Sequence, residues 1–231
     1  MIHQTFSCDK PVILVGAGPI GASDIDSARQ FSDRVIAADG GADSVLGAGF
    51  TPDAVIGDLD SLSSTARDAI APDRVVHVRE QDSTDFEKAM SQLTTPLVIG
   101  VGFTGGRIDH ALAVLHGLVR FAHKPCLLLG PEEVIFHCPP DITLDLPPGA
   151  IVSLFPMAPV QGTSIGLDWP IAGLEFAPGH KIGTSNRSTG PVVGLQMQGR
   201  GMLVLIPRVH FEHAVQALLQ NARRDVQWPA L

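Results

Sequence analysis

Val55-Ile56-Gly57-Asp58-Leu59-Asp60-Ser61 joins a short apolar run to two closely spaced carboxylates, the pattern of a buried strand that ends in a polar loop. Two further acidic clusters follow similar junctions, Gln81-Asp82-Ser83-Thr84-Asp85-Phe86 and Gly105-Gly106-Arg107-Ile108-Asp109-His110. Because loops that leave the carboxyl ends of parallel strands converge on one edge of a sheet, we expect these carboxylates to meet there. The three clusters together indicate a magnesium and nucleotide site.

Short runs rich in Val, Ile and Leu alternate with helix-like segments from residue 11 to about 130, which predicts a mostly parallel sheet flanked by helices. Thr84 with Glu87 three residues later is a capping-box pattern, typical of a helix start. The predicted strands lie near Val12–Val15, Val35–Ala38, Ala54–Ile56, Val75–Val78, Leu97–Val101 and Cys126–Leu129. The predicted helices run near Asp24–Phe31, Ser63–Ile70, Thr84–Leu93 and Asp109–Phe121.

After Gly130, recurring prolines and glycines separate short β-prone runs, which predicts a small antiparallel sandwich or barrel. Val192–Gln198 and Met202–Ile206, on either side of Gly199-Arg200-Gly201, predict a hairpin. Apolar residues at helical spacing predict a terminal amphipathic helix, namely Phe211, Val215, Leu218, Leu219 and Ala222. We therefore expect an α/β domain over residues 1–132, and an antiparallel β-sandwich domain with a short terminal helix over residues 133–231.

The chain has 231 residues, with 24 acidic residues against 16 basic ones and a formal net charge of −8. This balance disfavours nucleic acids and anionic membranes as partners, and it suits a cationic substrate or a metal-bound nucleotide. Cys8, Cys126 and Cys138 have no ligand-like spacing, which indicates reduced thiols. Since Pro11–Gly16 is too short to span a bilayer and the N-terminus has no secretion-signal pattern, we expect a cytoplasmic protein.

The residue types in the acidic clusters suit a metal-bound nucleotide. If the chain is extended at Asp58 and Asp60, both side chains project to the same side and offer the oxygen ligands that magnesium prefers. Lys88, one turn beyond Asp85, can reach a phosphate, and Arg107 offers a planar fork for phosphate oxygens. Taken singly, each motif is as well explained by a turn, a helix cap or a surface ion pair.

Other functions fit parts of the same pattern. Gly16-Ala17-Gly18-Pro19-Ile20-Gly21 follows a predicted strand and matches G-x-G-x-x-G, with Asp39 ending the next strand, as in NAD or FAD oxidoreductases. The pair Asp58 and Asp60 also occurs in phosphatases that use the first aspartate as a nucleophile. A nucleotide sensor would bind ATP and magnesium without turnover. The sequence has no G-x-x-x-x-G-K-[ST] string, which excludes a P-loop.

Six segments resemble, in this order, the signature segments of the thiamine pyrophosphokinase (thiamine diphosphokinase) family. They are Ala38–Asp43, Pro52–Ser61, Asp82–Ala89, Gly105–His110, Gly166–Pro170 and Gly183–Asn186. The resemblance covers roughly residues 11 to 206, and the ordered set is far more specific than any single segment.

This resemblance implies a homodimer that transfers a diphosphoryl group from MgATP to the hydroxyethyl group of thiamine, giving thiamine diphosphate and AMP. It implies metal ligands around the triphosphate at Asp58, Asp60, Asp82, Asp85 and Asp109, with Lys88 and Arg107 completing the catalytic set. The residues it implies near the nucleotide are Gln81, Thr84, Lys88 and Arg107, with Asp39 and Gly40 at its edge. Those it implies in a thiamine pocket at the dimer interface are Trp169, Ser185 and Asn186.

The chain departs from the family pattern in two places. Arg187 stands where many members carry an acidic residue, and the segment from Arg208 to Leu231 extends beyond the usual final strand. A related diphosphokinase that acts on a hydroxymethylpterin is the nearest alternative. Its acceptor is neutral, so it would gain little from an acidic cleft.

Overall fold

The structure is a computed structural model that describes residues 6–80 and 82–230. These residues form two compact units. Unit 1 holds the described residues up to Gly117 together with Leu128–Pro131, and unit 2 holds Leu118–Leu127 and the described residues from Glu132 onward.

Unit 1 contains the predicted parallel sheet. Its strands are β1 (Phe6–Ser7), β2 (Val12–Val15), β3 (Val35–Ala38), β4 (Ala54–Gly57), β5 (Val75–His77), β6 (Leu93–Thr94), β7 (Val98–Val101) and the second half of β8 (Cys126–Leu129). The order β8-β7-β2-β3-β4-β5 holds six of them, and β1 pairs separately with β6. All residues of β2, β3, β4 and β7 are buried, as expected for strands that are covered on both faces.

Five helices connect these strands. They are α1 (Asp24–Arg29), α2 (Gly41–Gly47), α3 (Ser64–Ala69), α4 (Asp85–Gln92) and α5 (Ile108–Arg120). The bounds of the four predicted helices agree with the structure to within two residues at each end, the usual uncertainty where helices fray.

Helix α2 was not predicted, because Gly40-Gly41 looks like a turn. A Cβ atom at Gly41 would lie 2.0 Å from the carbonyl oxygen of Val15, so only glycine lets this helix begin so close to β2. The close approach places the residues after β3 directly beside the end of β2.

Unit 2 is antiparallel, in agreement with the predicted fold class. Its strands are β9 (Glu133–His137), β10 (Asp141–Asp145), β11 (Ile151–Pro156), β12 (Gly162–Ile165), β13 (Gly183–Arg187), β14 (Val192–Met197) and β15 (Met202–Pro207). One sheet has the order β10-β14-β12, and the pairings β13-β11-β15-β9 form the other. Buried and exposed residues alternate along β10 and β14, as expected for strands with one face in a core.

The predicted hairpin between β14 and β15 is wrong. β14 pairs with β10 and β12, whereas β15 pairs with β11 and β9, so the two strands lie in different sheets. Gly201 has a φ angle of +112°, and its N–H donates to Nε2 of the buried His137 at 2.9 Å. This tertiary bond helps turn the chain into the second sheet, where a hairpin would have kept it in the first.

The predicted terminal helix is confirmed as α6 (Phe211–Arg223), which packs on β10. Asn221 Nδ2 donates to the main-chain oxygen of Asp141 at 2.5 Å, and Trp228 Nε1 donates to that of Cys138 at 3.0 Å. The final segment therefore covers one sheet of unit 2. None of the helices in the described part of the chain has the length and apolar character needed to cross a membrane.

The three cysteines are free thiols. Cys8 is half-buried, whereas Cys126 and Cys138 are buried. Burial raises the pKa of both buried thiols far above the ordinary range.

Candidate active site

The loop after β4 brings Asp58 and Asp60 together by a route that differs from the prediction. The strand ends at Gly57, and Leu59 adopts a φ angle of +67°, so the chain is not extended between the two aspartates. Asp58 Oδ1 accepts a bond from the Asp60 N–H at 3.5 Å. The two carboxylates therefore converge through a tight turn rather than through the two-residue repeat of a strand.

Asp39, at the end of β3, is the most unusual residue of the site. It is 1% exposed, has a φ angle of +42°, and its Oδ1 has no hydrogen-bond partner among the described residues. A Cβ atom at Gly57 would lie only 2.8 Å from the Asp39 Cβ, so the glycine makes room for this side chain. A strained backbone and an unpaired buried oxygen are features that functional sites retain at a free-energy cost.

Asp39, Asp58 and Asp60 form a carboxylate cluster. Each offers one oxygen, and these oxygens lie within 4.8 Å of one another. Hard oxygen ligands suit magnesium, which usually takes one or two protein carboxylates together with water and phosphate oxygens. The unpaired oxygen of Asp39 and the mixture of buried and exposed ligands fit a divalent cation that is shared with a bound phosphate.

The electrostatics of the cluster point the same way. Burial, aided by the negative charge of Asp85, raises the pKa of Asp39 to about 7. Burial also raises the pKa of Asp85, although the charge of Lys88 opposes that shift. Packing this much negative charge at the end of the sheet is unfavourable unless a proton or a cation neutralises it.

Lys88 is the positive charge at the centre of the site. The capping box of α4 is present, with Glu87 N–H donating to Thr84 Oγ1 at 3.3 Å and Thr84 N–H donating to Glu87 Oε2 at 3.1 Å. Lys88 follows in the first turn, is 4% exposed, and donates from Nζ to Asp58 Oδ2 at 2.7 Å and to Asp85 Oδ1 at 3.3 Å. Burial alone would lower the pKa of Lys88, but the bonds to these carboxylates raise it, so the ammonium stays charged.

A cavity of about 700 Å³ opens beside these residues within unit 1. Its volume suits a small-molecule ligand. The predicted site residues that line it are Gly40, Asp58, Asp60, Thr84, Asp85, Lys88 and Arg107. The lining also includes the apolar side chains of Pro19, Phe103, Ala113 and Val114.

Asp82 and Asp109 stand apart from this group. Asp82 and Asp109 are exposed and do not line the cavity, and Gln81 lies outside the described residues. Asp109 accepts from Arg107 Nε at 3.1 Å and from Arg107 Nη2 at 2.6 Å, and this pairing lowers the pKa of Asp109 to about 2. Arg107 thus reaches the cavity while its guanidinium is held by an exposed partner.

The glycines of Gly16–Gly21 serve the packing of the cavity wall. A Cβ atom at Gly16 or Gly18 would lie 2.7 or 2.6 Å from the carbonyl oxygen of Gly102, which itself has a φ angle of +76°. Gly21 N–H donates to Asp24 Oδ2 at 2.9 Å, and α1 begins only at Asp24. The motif therefore lets the ends of β2 and β7 approach each other.

The three residues predicted to contact thiamine belong to unit 2. Trp169 is 60% exposed, and Ser185 is exposed with a φ angle of +62°. Asn186 is 5% exposed, and its amide bonds to the main chain of Trp169. Two of the three side chains are thus open to a ligand and one is buried.

Sequence reasoning missed the central position of Asp39 and the presence of His110 and Phe103 in the cavity wall. The resemblance implies Asp39 only at the edge of the nucleotide, and it implies no role for His110. The signal for Asp39 was present in the sequence, because it ends a predicted strand next to the strand that precedes Asp58. Neighbouring parallel strands bring their last residues together.

A parallel sheet with a carboxylate-lined cavity at its carboxyl edge, followed by antiparallel sheets, defines an α/β ligand-binding protein that suits a metal-bound anion. Residues 26–128 match the family model described as "Thiamin pyrophosphokinase, catalytic domain". The chain is therefore similar to the thiamine pyrophosphokinase family over 103 of its 231 residues.

Curated relatives and solved structures carry the same family name. The chain is 28% identical to Thiamin pyrophosphokinase 1 of Caenorhabditis elegans over 162 residues, 63% of this chain and 66% of the relative. It is 26% identical to Thiamine pyrophosphokinase 1 of Oryza sativa subsp. japonica over 156 residues, 59% of each chain. The chain thus spans about three-fifths to two-thirds of the length of these curated relatives.

Among solved structures, thiamin pyrophosphokinase from Candida albicans superimposes with a TM-score of 0.74 at 15% identity, covering 86% of this chain and 89% of that chain. The enzyme from Geobacillus thermodenitrificans gives a TM-score of 0.69 at 24% identity, covering 85% and 96%. At these identities the likeness establishes the fold.

Proposed function

We propose that this protein transfers a diphosphoryl group from MgATP to the hydroxyethyl group of thiamine, giving thiamine diphosphate and AMP. The observation that carries the proposal is the carboxylate cluster with Lys88 beside a cavity of about 700 Å³. Similarity to the thiamine pyrophosphokinase family supports the choice of substrates, and it does not favour an oxidoreductase, an aspartyl phosphatase or a pterin diphosphokinase.

Asp39, Asp58 and Asp60 would hold magnesium, and the unpaired Asp39 oxygen supports this ligand set. When bound, the ion supplies positive charge that neutralises the phosphates and the leaving group. Further ligation by Asp82, Asp85 and Asp109 stays a prediction. Of these three, Asp85 has the strongest support, because it lines the cavity.

The chain's own groups position the nucleotide. Lys88 and Arg107 supply positive charge at the cavity, and Thr84 lies at the N-terminus of α4, where main-chain N–H groups favour an anion. The thiamine hydroxyl oxygen attacks the β-phosphorus, and the bond from that phosphorus to the α–β bridging oxygen breaks. The hydroxyl proton leaves, and AMP departs. Such a transfer depends on positioning and charge neutralisation more than on covalent help.

The acceptor would bind through unit 2. The exposed indole of Trp169 offers a face for the cationic thiazolium ring of thiamine, and Ser185 offers a hydroxyl for the aminopyrimidine. We propose that residues 1–132 form the catalytic domain, and that residues 133–231 bind thiamine and form the contact of a homodimer. The three free thiols support residence in the reducing cytoplasm.

The proposal is tested by incubating the purified chain with MgATP and either thiamine or a hydroxymethylpterin. We expect AMP and thiamine diphosphate in equal amounts, measured by chromatography, and no diphosphorylated pterin. Absence of AMP release with thiamine would reject the assignment.

A substitution in the carboxylate cluster tests the site itself. Asp58→Asn keeps the side-chain volume but removes a charge that faces both the cation and Lys88, so we expect kcat to fall by about 100-fold or more. Because this change also removes a partner of a buried lysine, Asp60→Asn serves as a second variant at an exposed position.

The matched control for both variants is Asp68→Asn, an exposed carboxylate on α3 outside the cavity, which should keep full activity. Circular dichroism verifies the fold of each variant. Unchanged turnover in well-folded Asp58→Asn and Asp60→Asn would remove the cluster from the reaction.

A further inference from the structure

Trp169 is a large apolar side chain that unit 2 leaves in solvent. Its indole is 60% exposed, whereas most large apolar side chains in the described part of unit 2 are buried. An exposed aromatic ring is useful for binding only if its orientation is fixed, because ordering it on binding would reduce affinity.

Asn186 fixes the main chain that carries this indole. Its Nδ2 donates to the Trp169 carbonyl oxygen at 2.7 Å, and its Oδ1 accepts from the Trp169 N–H at 3.2 Å. Oδ1 also accepts from the Arg187 N–H at 2.8 Å. An asparagine amide has two donors and two acceptor positions, so three of the four are used within the protein.

The surroundings of Asn186 leave it poorly suited to touch a ligand. The residue is 5% exposed, and its two neighbours on β13 take part in two further hydrogen bonds. Asp168 N–H donates to the Arg187 carbonyl at 2.9 Å, and Ser185 N–H donates to Ser153 Oγ at 3.0 Å. The segment before Trp169 and the end of β13 are therefore joined by a set of hydrogen bonds.

We propose that Asn186 is a positioning residue, which clamps the main chain of Trp169 so that the indole is fixed as a platform for the cationic ring of the acceptor. This inference rests on the proposed function for the identity of that ring. It changes the expected role of Asn186, since the sequence pattern predicted direct contact with thiamine. The clamp itself depends only on the bonds between Asn186 and the main chain.

The chain has two tryptophans, Trp169 and Trp228. The test uses Trp228→Phe as the background, so that all tryptophan fluorescence comes from Trp169. Asn186→Asp keeps the volume and the acceptors but removes the donor to the Trp169 carbonyl, placing two oxygens against each other. We expect faster nanosecond motion of the indole in time-resolved fluorescence anisotropy. We also expect KM for thiamine to rise by about 10-fold, with KM for ATP unchanged.

The chain offers a matched control in Asn221, which is also 5% exposed in unit 2 and donates to a main-chain carbonyl, that of Asp141. Asn221→Asp should lower the melting temperature by a similar amount while leaving indole motion and KM for thiamine as they were. A general loss of stability is thereby separated from a loss of positioning.

A double variant decides whether Asn186 acts through the indole. In a protein that carries Trp169→Ala, adding Asn186→Asp should leave KM for thiamine at the value of the single Trp169→Ala variant. An additional rise would mean that Asn186 contacts the acceptor itself, and unchanged anisotropy in Asn186→Asp would mean that it does not hold the indole. Either result overturns the proposal.

Two further measurements test the proposal when the variant does not fold or when the protein does not convert thiamine. If Asn186→Asp does not fold, hydrogen exchange in the unaltered protein is used, where slow exchange of the Trp169 N–H is expected and fast exchange overturns the clamp. If the protein does not convert thiamine, the proposed function fails, and anisotropy alone still decides whether Asn186 positions Trp169.

Discussion

At the scale of single residues, the site depends on backbone conformations at Asp39 and Leu59 that could not be predicted from the sequence. Asp58 and Asp60 were identifiable because a buried strand precedes them, but their convergence depends on the positive φ angle of Leu59. Asp39 has a positive φ angle as well, and its burial follows from the absence of a side chain at Gly57. Strand patterns locate such residues, whereas tertiary packing determines their charge and orientation.

Asp39 gives a prediction for pH dependence in the absence of divalent cations. Its pKa is raised to about 7 from an ordinary value of 3.8, so the folded protein holds a proton that the unfolded chain has lost. The free energy of unfolding should therefore fall as pH rises from about 4 through 7. In Asp39→Asn this slope should be smaller, though not zero, because burial also raises the pKa of Asp85.

Urea unfolding of the chelator-treated protein between pH 4.5 and 8 measures this slope directly. Parallel curves for the unaltered protein and Asp39→Asn would contradict a raised pKa at Asp39.

At the scale of elements, sequence patterns were reliable wherever a buried strand or an amphipathic helix stood between clear breakers. The strands β2, β3, β4, β5, β7 and β8, four of the five helices that connect them and α6 were predicted in this way, whereas the short parallel pair of β1 and β6 was not. Helix α2 was missed because its glycine looked like a breaker, although that glycine serves a contact with Val15. The predicted hairpin was wrong because two apolar runs on either side of Gly199-Arg200-Gly201 do not specify which strands they pair with. Here β14 and β15 pair with different neighbouring strands.

The two glycines at the ends of α2 give a matched pair of substitutions. Gly41→Ala forces a methyl group to within 2.0 Å of the Val15 oxygen, so we expect a loss of about 1–3 kcal/mol or more in the free energy of unfolding. Nothing lies within 4 Å of a Cβ atom at Gly47, so Gly47→Ala should stabilise the protein by up to about 1 kcal/mol.

Chemical denaturation of both variants measures the contrast. Equal effects of the two substitutions would show that helix propensity, and not the contact with Val15, explains Gly41.

At the scale of the whole molecule, unit 2 carries several large apolar side chains that are exposed to solvent. The large apolar side chains exposed among its described residues are Ile151, Phe155, Ile165, Trp169, Ile182, Val192 and Val209. Exposed apolar groups of this kind often mark interaction surfaces, which supports the proposed homodimer.

Ile165, on β12 and 68% exposed, tests that dimer. If it lies in the contact, Ile165→Asp buries an unpaired charge there and should shift the protein from dimer to monomer in light scattering. Val209→Asp, at an exposed residue on the turn before α6, should leave the mass unchanged. A monomeric unaltered protein, or a dimer unaffected by Ile165→Asp, would contradict this use of the surface.

The uneven burial of the three cysteines has a practical consequence. Cys126 and Cys138 are buried, and burial raises their pKa so that they have almost no thiolate near neutral pH, while Cys8 is partly accessible beside β1. A maleimide dye should consequently attach at Cys8 alone in the folded protein. The native sequence therefore provides one specific labelling position in unit 1, without any engineered thiol.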